Sequence, residues 1–346
     1  MTENPGDRDL FPKLDRLGIR HFDHPIHDQP KDWLLENFRS GSTKFPINVT
    51  ALIRNLIWQT RERIAAGDRE PMRELIRTFW YSHIKPTLAR ADALSEESDQ
   101  YDELVQQLVT LVRDERLMNY ADIGFRDDNE AVRHAGDANP NIVVFAEKEG
   151  QAAFLKEIAD RYGVSTLALG GQPSALTSEY FVRDLKEKGV DLRRSFYLYG
   201  ITDYDTSGAI IRDAFVKNLH AFDIKNIKTL DLVNPDMLTP EEIRSSRFPI
   251  PDDKGNAKKN TDWLRDIHKR GYANQKYLES GDDDAGKKRK IYGIESEALS
   301  AKRLADKLAE VLPPVLGKDE RILTINQLDR LTKSIEDLIL QKIRGR

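Results

Sequence analysis

Apolar positions fall into two regimes along the 346-residue chain: helical spacing from residue 47 to about 117, then short apolar runs alternating with helical stretches. In "INVTALIRNLIWQTRERIAA", residues 47 to 66, Val49, Leu52, Ile53, Leu56, Ile57 and Ile64 share one helical face, and Gly67 ends the run. A second helix is expected over "EPMRELIRTFWYSHI". A third is expected over "YDELVQQLVTLVRDERL", where Leu104, Val105, Leu108, Val109 and Val112 line up. Residues 1 to 45 have no strong period and carry Pro5, Pro12, Pro25 and Pro30, which suits an extended or partly helical arm. Three helices followed by the mixed polar segment 119 to 138 suit a winged-helix-type module over 46 to 138. The helices carry that reading, and the wing follows only from the segment's place.

The pattern changes at "DANPNIVVFAEKEG". Asn139-Pro140-Asn141 reads as a linker and Ile142 to Phe145 as a buried strand. An amphipathic helix follows (Ala153, Phe154, Ile158, Ala159, Tyr162). Then come the apolar run "VSTLALGGQPS", a helix over "LTSEYFVRDLKEKG", a strand over "SFYLYGITD" and a helix over "GAIIRDAFVKNL". Residues 227 to 235 offer one more strand. Strands alternating with helices predict an α/β, Rossmann-like domain with a mostly parallel sheet over 139 to 346. Its tail, with Leu328, Leu331, Ile335, Leu338 and Ile339, reads as an amphipathic helix suited to packing or to a partner.

Composition narrows the function classes. The chain is 39% hydrophobic and 32% charged, which fits a globular protein with a charged surface. No run approaches eighteen apolar residues and the N-terminus is polar and acidic, so a cytoplasmic protein without membrane contact is expected. With no cysteine, disulfides, thiolate metal sites and cysteine nucleophiles are excluded. A net charge of −4 argues against binding nucleic acid by bulk charge but leaves room for a local basic groove. Candidate patches are Arg193-Arg194, Lys258-Lys259 and Lys287-Lys288-Arg289-Lys290, the last following the acidic run Asp282-Asp283-Asp284. His21, His24 and His27 have a spacing that three imidazoles could use for zinc, but Pro25 breaks the helix that would align them.

The chemistry-bearing stretch is "YGITDYDTSG", in which Asp203 and Asp205 follow an apolar strand. Alone, such a pair reads as a turn capping the next helix. In open α/β sheets, however, ligands gather at the carboxyl ends of the strands. The first strand of this domain ends in "AEKEG", so Glu147 is expected on the same edge as the two aspartates. Three carboxylates there suit a hard cation such as Mg²⁺.

Glutamate after one strand, glycine soon after it, and D-x-D after a later strand resemble the Toprim domain of topoisomerases, primases and related nucleases. "VVFAEKEGQAAFLKEIAD", "LGGQPSALTSEYFVRDL" and "YGITDYDTSGAIIRDA" are similar to blocks of the A subunit of topoisomerase VI and of its meiotic double-strand-break relative. The resemblance implies Mg²⁺, with Mn²⁺ as a substitute, held by Glu147, Asp203 and Asp205, with Glu149 as the alternative glutamate. It also implies a nucleophilic tyrosine in an upstream winged-helix module. Arg77-Thr78-Phe79-Trp80-Tyr81 has the family's spacing of arginine, three residues and tyrosine, which makes Tyr81 the nucleophile and Arg77 its phosphate-orienting partner. Read without the resemblance, Phe79, Trp80 and Tyr81 are core aromatics of a helix.

The expected function is Mg²⁺-dependent cleavage of double-stranded DNA by a homodimer, leaving 5′-phosphotyrosine links in a nucleoid-associated complex with a separate B-type subunit, either an ATPase or one lacking that activity. Two alternatives stand beside it: a Toprim nuclease that hydrolyses DNA with Tyr81 merely structural, and an inactive DNA-binding scaffold. The chain departs from the family at Thr78, where an acidic residue is usual. It departs again at "DTSG", where "DPYG" is common, and at "LALGGQPS", which lacks a basic residue between its glycines. These departures place it far from the main line and put strand passage in doubt.

Overall fold

A computed structural model describes residues 10–41, 46–95, 100–251, 255–279 and 290–317, together with Thr332, Ile335 and Ile339. The chain divides into two compact units, Met1–Glu130 and Ala131–Arg346.

The described part of the first unit is helical: α1 (Leu10–Arg16), α2 (Lys31–Asn37), α3 (Val49–Ala65), α4 (Ile76–Phe79), α5 (Lys85–Arg90), α6 (Tyr101–Val109) and α7 (Tyr120–Ile123). The long α3 is capped by Asn48, whose side chain accepts from Ala51 N at 3.0 Å, and it buries Leu52, Ile53, Leu56 and Ile57. Two amides on its inner face hold the arm. Asn55 accepts from Arg20 N and donates to the Gly18 carbonyl. Gln59 accepts from Ile26 N and donates to the carbonyls of Phe22 and His24, all at 2.8–3.1 Å. An arm rich in proline makes few backbone hydrogen bonds of its own, and these amides satisfy the buried groups.

The expected second helix begins later than its apolar pattern suggests. Arg73 lies at φ +50°, and residues Met72 and Arg73 pair with the carbonyls of Ile123 and Gly124, so the helical stretch starts at Ile76. Among the described residues of this unit no strand hairpin forms a wing; an isolated bridge joins Arg39 and Ile47. The segment 119 to 138 supplies α7 and then strand β1 (Arg133–His134), which belongs to the second unit's sheet.

That sheet contains β1, β2 (Asn139–Ala146), β3 (Val164–Ala168), β4 (Ser195–Ile201) and β5 (Asn226–Asp231) in the order β1-β3-β2-β4-β5. β1 runs antiparallel to β3, and the remaining pairs are parallel. Crossovers run through α8 (Ala152–Tyr162), α9 (Ala175–Glu187) and α10 (Thr206–Ala221). All eight residues of β2 are buried, as a central parallel strand covered on both faces requires. Alternate residues feed two cores. Ile142, Val144 and Ala146 join Phe154, Leu155 and Ile158 of α8 on one face, and Val143 and Phe145 join Phe181, Phe215 and Leu219 on the other.

Asn139-Pro140-Asn141, expected as a linker, is the buried start of β2. Asn139 donates to the Tyr162 carbonyl and Asn141 to that of Ser195, and the register shifts where Pro140 has no N–H to give. The rest of the unit adds α11 (Pro240–Ser246), the antiparallel pair β6 (Arg247–Pro249) and β7 (Tyr292–Ile294), α12 (Ala257–Arg270) and α13 (Ala301–Val311). Residues of α12 and α13, Trp263, Ile267, Leu304 and Leu308, complete the first core. Of the tail's apolar row, Ile335 and Ile339 are helical and exposed, while Leu328, Leu331 and Leu338 lie outside the described residues.

Candidate functional site

The strand order reverses at β2, whose chain successor β3 lies on one side and β4 on the other; a crevice at the carboxyl ends of β2 and β4 follows from that topology. Glu147 leaves β2 and still pairs with β4, its N–H donating to the Ile201 carbonyl at 3.0 Å. Its Oε2 accepts from Asp203 N at 3.3 Å, so the ends of the two strands are tied through the carboxylate itself. Leu169 N and Gly171 N donate to the carbonyls of Ala146 and Glu147, fastening the "LALGGQPS" loop to the same edge. Gly170, at φ +63°, lies against Glu149, whose Oε1 would stand 2.8 Å from an added Cβ.

Asp205 caps α10, its Oδ1 accepting from Gly208 N at 2.7 Å, and a Cβ on Gly208 would collide with the Asp203 carbonyl oxygen. The glycine of "DTSG" is therefore required by the turn that carries both aspartates. Burial raises the pKa of Glu147, and the charges of Asp203 and Asp205 push it the same way against the Asp203 N–H. Asp205 is raised as well, first by burial. Both shifts come first from burial, which disfavours the ionised form, and for Glu147 the charge of Lys148 opposes the rise.

A second pair of acids enters from far along the chain. Tyr204 and Ile294 exchange backbone hydrogen bonds at 2.8 and 3.2 Å, which brings the end of β7 against the D-x-D turn. Ser296 N then donates to Asp203 Oδ1 at 2.8 Å. As a result, carboxylate oxygens of Asp203, Glu295 and Glu297 lie within 4.8 Å of one another, a group able to hold a metal ion. Glu147 and Asp205 stand beside this group rather than within it: Asp203 alone belongs both to the sequence-expected trio and to the convergent one.

The ammonium of Lys148 sits in that group, 2.8 Å from Glu295 and 3.3 Å from Asp203, and is also bonded to Glu297. Burial alone would lower its pKa, but hydrogen bonds to Glu295 and Glu297 and the charge of Asp203 win, and the pKa rises. The donor set is all hard oxygen, a chemistry able to hold a metal ion, which would compete with Lys148 for these carboxylates. Asp231, on the same sheet edge at the end of β5, gives its Oδ2 to Arg212 at 2.6 Å and to Arg270, while its buried Oδ1 has no hydrogen-bond partner among the described residues.

In the first unit Tyr81 is 52% exposed, unlike its buried neighbours Phe79 and Trp80. It lies in a π-helical turn, Trp80–Ile84, closed by Lys85 N donating to the Trp80 carbonyl. Pro86 has no N–H for the Ser82 carbonyl and its ring would crowd that carbonyl, so the wider turn accommodates it. The Lys85 ammonium lies 5.1 Å from the centre of the Tyr81 ring, while the exposed Arg77, one turn earlier, lies over Tyr101 at 5.0 Å.

His21 and His24 do not join His27. His21 is near Asp23 and Glu62, His24 gives its carbonyl to Gln59, and the His27 ring lies 5.2 Å from that of His83. Of the expected basic patches, Arg193 forks onto Asp191 at 3.0 and 3.2 Å, and Lys258 and Lys259 are exposed on α12. Lys287 to Arg289 and Asp282 to Asp284 fall outside the described residues. Glu295 and Glu297 were not expected from sequence; the signal was an E-x-E after the short apolar run "IYGI", the counterpart of D-x-D. No protein-family model and no curated protein matches the chain. No helix among the described residues is long and apolar enough to cross a membrane.

Proposed function

We propose that the protein is a Mg²⁺-dependent DNA-cleaving subunit of the type resembled by its sequence, the topoisomerase VI A subunit and its meiotic relative, with Tyr81 as nucleophile in a winged-helix-type module and the second unit as a Toprim domain. One observation carries the reading: Asp203 converges with Glu295 and Glu297 at the sheet edge where Glu147 and Asp205 also emerge. Asp203, Glu295 and Glu297 would hold Mg²⁺, or Mn²⁺ in its place, with Glu147 and Asp205 alongside. Bound there, the ion supplies positive charge to phosphate oxygens.

In the chemical step the Tyr81 phenol gives its proton to solvent and its oxygen attacks a backbone phosphorus. The bond from phosphorus to the 3′ oxygen breaks, that oxygen takes a proton from solvent, and the 5′ phosphate stays on tyrosine. Arg77 and Lys85, on either side of Tyr81 along the helix, orient the phosphate and oppose the charge that develops on it. Two copies, each giving its tyrosine to the other's carboxylates, cut both strands of a duplex; a separate B-type subunit in a nucleoid-associated complex decides whether the ends are resealed.

A hydrolytic nuclease is the second reading, favoured by one observation: the acidic group and its flanking carboxylates all lie in the second unit, without Tyr81. Supercoiled plasmid incubated with protein and Mn²⁺, quenched in detergent and run with and without protease separates the two. Linear DNA that enters the gel only after protease, and is lost in Tyr81→Phe and Asp203→Ala, supports transesterification. Protein-free breaks that persist in Tyr81→Phe overturn it in favour of hydrolysis.

A further inference from the structure

The turn that carries Tyr81 also builds a cationic site on residues far apart in sequence. Arg69 is half-buried, and its guanidinium Nη2 donates to His83 Nε2 at 2.5 Å and lies 3.1 Å from Met72 Sδ. Because Nε2 accepts, the imidazole proton resides on Nδ1, which lies 2.7 Å from Ser82 Oγ; Ser82 in turn donates to the Thr78 carbonyl at 2.8 Å. The ring is stacked on Phe79 at 5.2 Å and 26°. Burial first, and then the charge of Arg69, lower the His83 pKa to about 4, so near neutral pH the imidazole is an uncharged acceptor.

This is an unusual way to anchor a half-buried arginine. Burying a guanidinium costs least when a carboxylate neutralises it. Here the contacts at Nη2 are an imidazole and a thioether, neither of which carries a negative charge. Glu74 acts on Arg69 only through its field, against Arg63. Arg90, close by, also bonds to neutral oxygens, the carbonyls of His27 and Gln29 at 2.7 and 3.0 Å. Burial lowers the His27 pKa most; Asp28 raises it, and the charges of Arg69, Arg63 and Arg90 each lower it. Like charges gathered beside this turn favour an anionic ligand there.

We propose that Arg69, held in place by the Thr78–Ser82–His83 chain, binds a backbone phosphate of duplex DNA beside the turn that carries Tyr81. The neutral imidazole fixes one arm of the guanidinium and leaves its other N–H groups to a phosphate, where an aspartate would have consumed the fork and cancelled the charge. This inference rests on the DNA-cleaving reading for its ligand but not for its test.

Binding of a fluorescein-labelled 25-base-pair duplex is measured by anisotropy in EDTA across a salt series, which removes any cleavage. Each phosphate contact contributes a slope of about 0.9 in log K against log salt. Arg69→Gln is expected to lower the slope by about one such contact and the affinity at low salt by about tenfold. Arg69→Lys is expected to keep the slope while binding more weakly, and Lys156→Gln, at the Asp160-paired surface lysine of α8, to change neither. Far-ultraviolet circular dichroism and melting curves confirm folding, and Arg69→Lys keeps the test valid if Arg69→Gln is unstable. An unchanged slope in folded Arg69→Gln, or equal loss in Lys156→Gln, overturns the proposal. A lowered slope here, with no protein-linked ends in the separate Mn²⁺ plasmid assay, keeps this site and sinks the cleavage reading; protein-linked ends in that assay with an unchanged slope here do the reverse.

Discussion

Lys148→Met is the most informative single change at the sheet edge, because the Lys148 ammonium stands among the same three carboxylates that would hold a divalent cation. In the native chain it lies 2.8 Å from Glu295 and 3.3 Å from Asp203 and is bonded to Glu297. Unit charges about 3 Å apart attract by about 1.4 kcal/mol in bulk water and by several kcal/mol at an effective dielectric of about 20. Glu295 and Glu297 are half-exposed, so solvent screening reduces their two pairs to roughly 0.5 kcal/mol each, while Asp203, 14% exposed, keeps more.

Removing the ammonium is thus expected to cost about 1–3 kcal/mol in EDTA, as three carboxylates face one another without a cation. For a unit of this size that is a fall of roughly 2–10 °C in melting temperature. The same change removes the competitor for an added ion. Mn²⁺ affinity, measured by calorimetry or by electron paramagnetic resonance, is expected to rise by about tenfold, about 1.4 kcal/mol. Saturating Mn²⁺ should then restore the melting temperature of the variant. If Lys148→Met binds Mn²⁺ no tighter than the native chain, or melts unchanged in EDTA, lysine and ion do not share these carboxylates.

Two further expectations concern the first unit. Gln59→Leu leaves the buried Ile26 N–H and the carbonyls of Phe22 and His24 without a partner, and should cost about 2–4 kcal/mol in urea unfolding and open residues 18 to 28 to limited proteolysis; native-like resistance would show that Gln59 does not hold the arm. His83, at about 4 against an ordinary 6.5, takes up its proton later in the folded chain than in the unfolded one, so its contribution is complete above pH 6.5 and fades as pH falls towards 4. Between pH 7 and pH 5 the native chain should lose about 1 kcal/mol more stability than His83→Gln, after allowance for screening of a half-exposed ring; parallel losses would contradict the neutral imidazole.

What the sequence made legible was local. The apolar run of β2, the glutamate after it and the D-x-D at the end of β4 each lie within a few residues of their own signal, and the sheet places them where an open α/β topology requires. Glu295 and Glu297 are about ninety residues from Asp203 and reach it through the Tyr204–Ile294 pairing, a contact of tertiary structure with no local pattern. Asn139 and Asn141 read as linker residues because they are polar, yet both are buried and each spends its amide on the backbone carbonyl of a neighbouring segment. Apolar spacing extended the second helix back to Glu70, but the left-handed Arg73 and the pairing of Met72 and Arg73 with the end of α7 keep that segment outside it. The π-helical turn at Tyr81 follows from Pro86, a signal on the page that periodicity alone passes over.

The central claim is a covalent bond between Tyr81 and DNA, and the most direct measurement looks for that bond. Protein trapped on plasmid with Mn²⁺ and denatured in detergent is digested with nuclease and then protease, and the peptides are read by tandem mass spectrometry. The peptide containing Tyr81 is expected to carry a nucleotide through its 5′ phosphate, and the adduct is expected to be lost in Asp203→Ala. Cleaved DNA with unmodified Tyr81, or the nucleotide on a different residue, would contradict it.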